Sequence, residues 1–114
     1  MRMTAVTCLL ALCLAPTLVA SDKPATVKGE VVDTFCYSAM GAHGDSHVKC
    51  GMACAKAGIP VGLVEGKKMY ILLPPKDGES LPAAVVDHMG KVVTVTGNVY
   101  TTGGNTFLTV QSVK

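Results

Sequence analysis

Three cysteines and one histidine are concentrated in a short stretch of the chain: Cys36, His47, Cys50 and Cys54. They follow the pattern Cys-x10-His-x2-Cys-x3-Cys. Thiolate and imidazole groups select soft or borderline ions such as Zn²⁺ or Cu⁺ over Mg²⁺ and Ca²⁺. The pattern therefore predicts a metal site of the Cys₃His type, in which the three cysteines are thiolate ligands and His47 is the nitrogen ligand. The sequence leaves the choice between the two metals open.

The spacing of these residues predicts how they would meet. On a helix, Cys50 and Cys54 have α-carbons about 6 Å apart, so both sulfurs can converge on one ion. His47 lies about 10.5 Å along the axis from Cys54 and must sit at or before the helix N-cap to reach the same ion. Cys36 would approach from the end of the preceding segment. We therefore expect the three sulfurs within about 4–5 Å of one another.

Three neighbouring residues are secondary candidates. His43 lies in a glycine-containing loop and is interpreted as a solvated residue, although it could replace His47 as the nitrogen ligand. Met40 offers a soft sulfur suited to Cu⁺. Asp33 either orients a histidine ligand through a hydrogen bond or serves only as a turn residue.

The N-terminal segment has the features of a secretory signal peptide. A positive charge at residue 2 precedes an apolar run over residues 5–15, and a small residue, Ala20, stands before the predicted cleavage point. The run is shorter than the roughly 20 apolar residues that a transmembrane helix needs. We therefore expect residues 1–20 to be removed and residues 21–114 to form one domain that is periplasmic or secreted, with no membrane contact after cleavage.

Export makes a disulfide the main alternative to a metal site, because exported compartments are oxidising. Cys8 and Cys13 leave with the signal peptide, so three cysteines remain and at least one stays outside an intramolecular disulfide. Cys36 would pair with Cys54 or with Cys50. In that case the chain is a disulfide-stapled module with one free thiol.

Composition excludes several functional classes. Ten basic and eight acidic residues give a net charge of only +2, and aromatic residues make up 4%, so neither phosphate binding nor base stacking is supported and no nucleic acid partner is expected. The mature chain has no Cys-x-x-Cys redox motif, no haem-attachment motif and no phosphate-binding loop. We predict no catalytic residue and no organic cofactor, with a thiol redox enzyme as a further alternative.

Hydrophobic periodicity and turn residues predict a mainly β chain with two helices. One helix should start at Asp45 or Ser46 and run to Ala57, after a loop over residues 35–46, and a shorter one should start at Ser80 and end at Gly90. The five predicted strands cover residues 26–33, 61–65, 68–73, 91–100 and 106–113.

This order of elements is that of a five-stranded oligonucleotide/oligosaccharide-binding (OB) barrel, with the Cys/His helix inserted between strands 1 and 2 and the short helix between strands 3 and 4. The segments GEVVD (29–33) and GKVVTVTGNV (90–99) resemble small exported bacterial OB-like proteins of the BOF-like type. The resemblance covers the strands and not residues 34–58. It implies a module that binds a small ligand or a partner, without catalytic residues.

Two functional hypotheses follow. The first is an exported metal-binding module, structural or metal-handling, whose partner is the metal ion, with a protein partner left open. The second is a disulfide-stapled OB-like module that binds a protein or a glycan. The two hypotheses differ in whether the cysteines bind a metal ion or form a disulfide.

Overall fold

The computed structural model describes residues 24–114, so the predicted signal peptide lies outside the described residues. Within this range the chain forms three α-helices, which are α1 (Thr34–Met40), α2 (Val48–Lys56) and α3 (Ala83–Asp87), and a 3-10 turn at Asp45–His47. It also forms seven strands: β1 (Ala25–Asp33), β2 (Val61–Glu65), β3 (Lys68–Leu73), β4 (Val92–Gly97), β5 (Val99–Thr102), β6 (Asn105–Thr109) and β7 (Ser112–Val113). The prediction of a mainly β chain is confirmed.

The seven strands form one mixed sheet in the order β5-β6-β3-β2-β1-β4-β7. The long first strand is central, because its first part pairs with β4 and its last part pairs with β2. All neighbouring strands are antiparallel except β3 and β6, which are parallel. The C-terminal end of β1 is thereby held on one side by Val61 of β2, and the helices that follow β1 start from this fixed point.

The prediction of a five-stranded OB-like barrel differs from the structure in two respects: the sheet has seven strands, and it is not closed into a barrel. Each of the last two predicted strands is divided in the structure. The strand predicted over residues 91–100 breaks at Asn98, and the one predicted over residues 106–113 breaks after Thr109. Both breaks occur where the chain changes its partner strands. β4 pairs with β1 whereas β5 pairs with β6, and β6 pairs with β3 and β5 whereas β7 pairs with β4.

The two breaks lie against each other and are joined by hydrogen bonds between Asn98 and Thr109. Thr109 donates its N–H to the carbonyl of Asn98, and the N–H of Asn98 donates to Oγ1 of Thr109. A Cβ at Gly97 would lie 1.6 Å from the carbonyl oxygen of Thr109. Only glycine allows two backbone segments to approach so closely.

The hydrophobic core lies under the central strands and is closed by α3. Val31, Leu63, Val95 and Leu108 from four strands are fully buried, and α3 adds Val85. The short helix is therefore present between the third and fourth strands, as predicted. It begins after Pro82 rather than at Ser80 and ends at Asp87 rather than at Gly90.

The region between β1 and β2 differs from the prediction at its start. The expected loop over residues 35–46 contains α1, which follows β1 directly. The helix predicted from Asp45 or Ser46 to Ala57 is present. The 3-10 turn begins at Asp45 and α2 continues it, and Gly58 follows the C-cap with a φ of +98°. Within residues 24–114, no helix combines the length and apolar character needed to cross a membrane.

Candidate metal centre

Cys36 is positioned by the junction between β1 and α1. Asp33 is the last residue of β1 and the N-cap of α1, and its side chain accepts a hydrogen bond of 2.8 Å from the Cys36 N–H. The helix ends at Gly41, which has a φ of +65° and satisfies the carbonyl of Tyr37. Short helices have little intrinsic stability, so α1 depends on these two caps. Asp33 and Gly41 were the sequence signals that could have revealed this helix.

The other three predicted ligands are carried by the N-terminal part and one face of α2. His47 is the N-cap residue of α2, as the reach argument required. Gly51 is buried against Met89, where a Cβ would lie 2.8 Å from the Met89 Cγ. This close packing presses α2 onto the core and leaves Cys50 exposed and Cys54 half-buried.

The predicted ligands come together in two overlapping groups. In the first, one ligand atom from each of Cys36, His47 and Cys50 lies within 4.8 Å of the other two. In the second, the same holds for Asp33, Cys36 and Cys54. Two sulfurs bound to one ion at about 2.3 Å are at most about 4.6 Å apart, so both groups are close to the span of a metal site. Cys36 is the member that the groups share.

Cys36 therefore points towards α2, which was the condition for its being a ligand. The structure does not place all four predicted residues in one group at this distance, because Cys50 and Cys54 belong to separate groups. The residue that joins the second group is Asp33, a carboxylate considered from the sequence as an orienting partner. The ligand set itself stays a prediction.

Asp33 and His47 form a buried hydrogen-bonded pair. Nε2 of His47 lies 2.7 Å from a carboxylate oxygen of Asp33, whose side chain is fully buried, and the imidazole is 13% exposed. An ionised carboxylate can only accept, so in the neutral imidazole Nε2 carries the proton and Nδ1 is the nitrogen with a free lone pair. Burial raises the pKa of Asp33, but the hydrogen bonds from the Cys36 N–H and from His47 outweigh it, so the net pKa is lowered.

The two inner thiols are in an environment that favours their neutral form when no metal is bound. Burial, with the neighbouring Asp33 carboxylate as the next cause, raises the pKa of Cys36 to about 12. Burial also raises the pKa of Cys54, with smaller contributions of both signs from Cys36, Asp33 and Cys50. A metal ion that binds these sulfurs must therefore displace protons, as thiolate ligation always requires.

Of the secondary candidates, His43 and Met40 lie outside these two groups, whereas Asp33 belongs to the second. His43 is hydrogen-bonded through Nδ1 to Glu30 at 3.1 Å and packs edge-on against Tyr37, with ring centroids 6.3 Å apart. Glu30 also accepts a hydrogen bond from the Gly44 N–H and so holds the turn that leads to α2. Met40, at the end of α1, is 67% exposed. The role of Glu30 was not found from the sequence, since it depends on the loop folding back over β1.

Comparison with protein-family models, with curated proteins and with solved structures gave no match for this chain. The chemistry of the cluster is therefore the main guide to function. It combines three thiols, an imidazole held by a buried carboxylate, and an opening to solvent at Cys50. Such a donor set suits a soft or borderline cation.

Proposed function

We propose that the protein is an exported metal-binding module in which Cys36, His47, Cys50 and Cys54 hold Zn²⁺ or Cu⁺. The observation that carries this proposal is the position of the Cys36 sulfur, which lies within 4.8 Å of ligand atoms of His47 and Cys50 and also of the Cys54 sulfur. Side chains from two separate helices thus converge, although nothing in the local sequence requires it. Export rests on the predicted signal peptide.

A four-ligand site would form by a small movement of Cys54. Its sulfur now lies in the group with Asp33 and Cys36, and it must turn towards His47 and Cys50. The cysteines on α2 are one turn apart, so we expect a rotation about the Cys54 side-chain bonds to bring its sulfur across without movement of the helix. Asp33 then keeps its bond to His47 and orients the ligand instead of binding the ion.

We also propose that the sheet is a partly open, OB-like arrangement. The last segment of the chain supports this, because it bonds to β3 and to β4, the strands on either side of the central β2–β1 pair. Val110 donates to the carbonyl of Leu73 in β3, and Gln111 donates to the carbonyl of Thr96 in β4. Partial opening is common in OB-like sheets. The metal centre would then be an insert on a binding scaffold.

Reconstitution of the reduced mature protein with Zn²⁺, Co²⁺ or Cu⁺ tests the metal proposal. We expect one ion per chain, thiolate-to-cobalt charge-transfer absorption, and three thiols that react with a thiol reagent only after a chelator is added. Replacing Cys36 with Ser or His47 with Ala should weaken binding. His43→Ala is the matched control, since this imidazole lies four positions away and bonds to Glu30, and it should leave affinity unchanged.

A second candidate function is the disulfide-stapled binding module. Two observations favour it: the ligand atoms of Cys36 and Cys54 lie within 4.8 Å, and an open cleft of about 510 Å³ lies on the outer side of α1. Its apolar lining includes Phe35, Ile59 and Met69, and Phe35 is 61% exposed. Such a lining suits apolar side chains of a protein partner better than a glycan.

The same thiol titration separates the two functions. One reactive thiol in the protein as isolated, rising to three only after reduction, would establish the disulfide and contradict the metal site. Three thiols that are protected by a stoichiometric ion would do the opposite. A mass measurement before and after alkylation identifies which cysteine reacts first.

A further inference from the structure

We infer that the bound metal ion is exchangeable cargo, which passes to an acceptor bearing thiolates, and that Cys50 is the ligand that the acceptor replaces. This inference rests on the metal site proposed above and goes beyond it, because a Cys/His site can also be purely structural. Two independent features of the molecule lead to it: the unequal exposure of the ligands, and a core that is complete without them.

The candidate ligands form a gradient of exposure from one side of the site to the other. Cys36 is 5% exposed and the imidazole of His47 13% exposed, whereas Cys54 is half-buried and Cys50 is exposed. The gradient arises because Gly51, next to Cys50, is the buried residue of α2. Cys50 is therefore the ligand that an incoming acceptor reaches most readily.

The main hydrophobic cluster of the fold does not include the proposed ligands. The main cluster of buried side chains joins β1, β2, β3, β4, β6 and α3, and none of the three cysteines belongs to it. Within residues 24–114, no buried side-chain nitrogen or oxygen lacks a hydrogen-bond partner. Asp33 in particular is already satisfied by Cys36 and His47. A structural zinc site, by contrast, contributes much of the folding energy of its domain.

The exchange step is a ligand substitution without a change in oxidation state. An acceptor thiolate forms a bond to the ion, and the bond between the ion and Sγ of Cys50 breaks. Cys50 leaves as a thiolate and takes a proton from water. Cys36, Cys54 and His47 hold the ion until further acceptor thiolates replace them in the same way.

Rescue by an added monothiol tests which coordination position is accessible. Cys50→Ser and Cys36→Ser each remove one thiolate, but the first opens a position to solvent and the second opens a buried one. With 2-mercaptoethanol present, the apparent Co²⁺ or Zn²⁺ affinity of Cys50→Ser should rise about tenfold for each tenfold increase in thiol, the slope for one extra ligand. The affinity of Cys36→Ser should not rise. Equal rescue of both variants, or of neither, would overturn the inference.

Transfer kinetics on the wild-type protein provide a second test that needs no variant. The rate of Zn²⁺ transfer to dithiothreitol should increase in proportion to its concentration, because the acceptor attacks the ion directly. A rate that saturates, and that is the same for dithiothreitol and a carboxylate chelator, would mean that the ion leaves only after the protein opens, and would refute the inference. If the wild-type protein binds no metal at all, the proposed function itself fails, which is a separate result.

Discussion

Replacing Asp33 with Asn tests the most specific feature of the site, the buried pair between Asp33 and His47. Aspartate and asparagine side chains are nearly equal in shape, so the fold should persist in this variant. The carboxylate accepts two hydrogen bonds, at 2.8 Å from the Cys36 N–H and at 2.7 Å from Nε2 of His47. In the variant the amide oxygen can still accept from Cys36, but the amide NH₂ then faces the imidazole.

The consequence for metal binding is a change of tautomer. The NH₂ group of the substituted side chain needs an acceptor, so Nε2 of His47 must lose its proton and Nδ1 must gain one. Nδ1 then has no lone pair for the ion. We expect metal affinity to fall about 10–100-fold, the usual effect of losing such an orienting partner. His47→Ala should lower the affinity at least as much.

The expected cost in stability of Asp33→Asn can be worked from the same two bonds. A hydrogen bond to a charged group contributes about 1.5–3 kcal/mol and a neutral one about 1 kcal/mol. In the variant both bonds are neutral, so each loses about 0.5–2 kcal/mol. The metal-free variant should therefore lose about 1–4 kcal/mol, out of a total of about 5–15 kcal/mol for a small domain. Urea unfolding of the metal-free protein measures this loss, and competitive titration against a chromophoric chelator measures the affinity.

Glu30→Gln is the matched control, because Glu30 also pairs a carboxylate with an imidazole, that of His43, but outside the sulfur groups. Its metal affinity should equal that of the wild-type protein. If Asp33→Asn loses stability and still binds metal with wild-type affinity, the pair is only structural and the assignment of Nδ1 as the ligand is wrong.

Three further predictions concern the packing that positions the site. Gly51→Val should lower the free energy of unfolding by about 1–3 kcal/mol through overpacking against Met89, whereas Ala53→Val, on the exposed face of the same helix, should cost less than about 1 kcal/mol; urea unfolding compares the two. Gly97→Ala should cost about 2–4 kcal/mol, since its Cβ would lie 1.6 Å from the Thr109 carbonyl oxygen, and wild-type stability would show that the close crossing does not form. Removing Zn²⁺ with a chelator should leave the far-ultraviolet circular dichroism spectrum unchanged and lower only the melting temperature. The expected loss of stability is about 2.7 kcal/mol, relative to a free metal concentration 100 times the dissociation constant. Loss of the spectrum would show that the core does depend on the metal site.

The elements with strong local signals were predictable from the sequence. Alternation of apolar residues predicted β4, the hairpin of β2 and β3 followed from its short turn, and Gly58 marked the end of α2. The position of His47 at the N-cap followed from the reach of a side chain along a helix. These features depend on residues within a few positions of each other, so local rules are sufficient.

Other features required contacts between distant parts of the chain. α1 was missed because its residues have no strong preference for a helix, and its stability comes from the caps, Asp33 and Gly41, at its two ends. The break at Asn98 was missed because nothing in a regular alternating pattern shows that a strand will change partners. β4 and β5 were therefore counted as one strand, and so were β6 and β7, which gave a barrel of five strands instead of a sheet of seven.

The sequence by itself determined which atoms are available for a metal: three thiols and an imidazole, with spacings that helices can bring together. Only the tertiary structure decided that Cys36 faces α2, that Asp33 is buried against His47, and that Cys50 is the exposed member. The physical reason is that a side chain's chemistry belongs to its residue type. Its burial and its partners are set by helix packing, here by the contact of Gly51 with Met89.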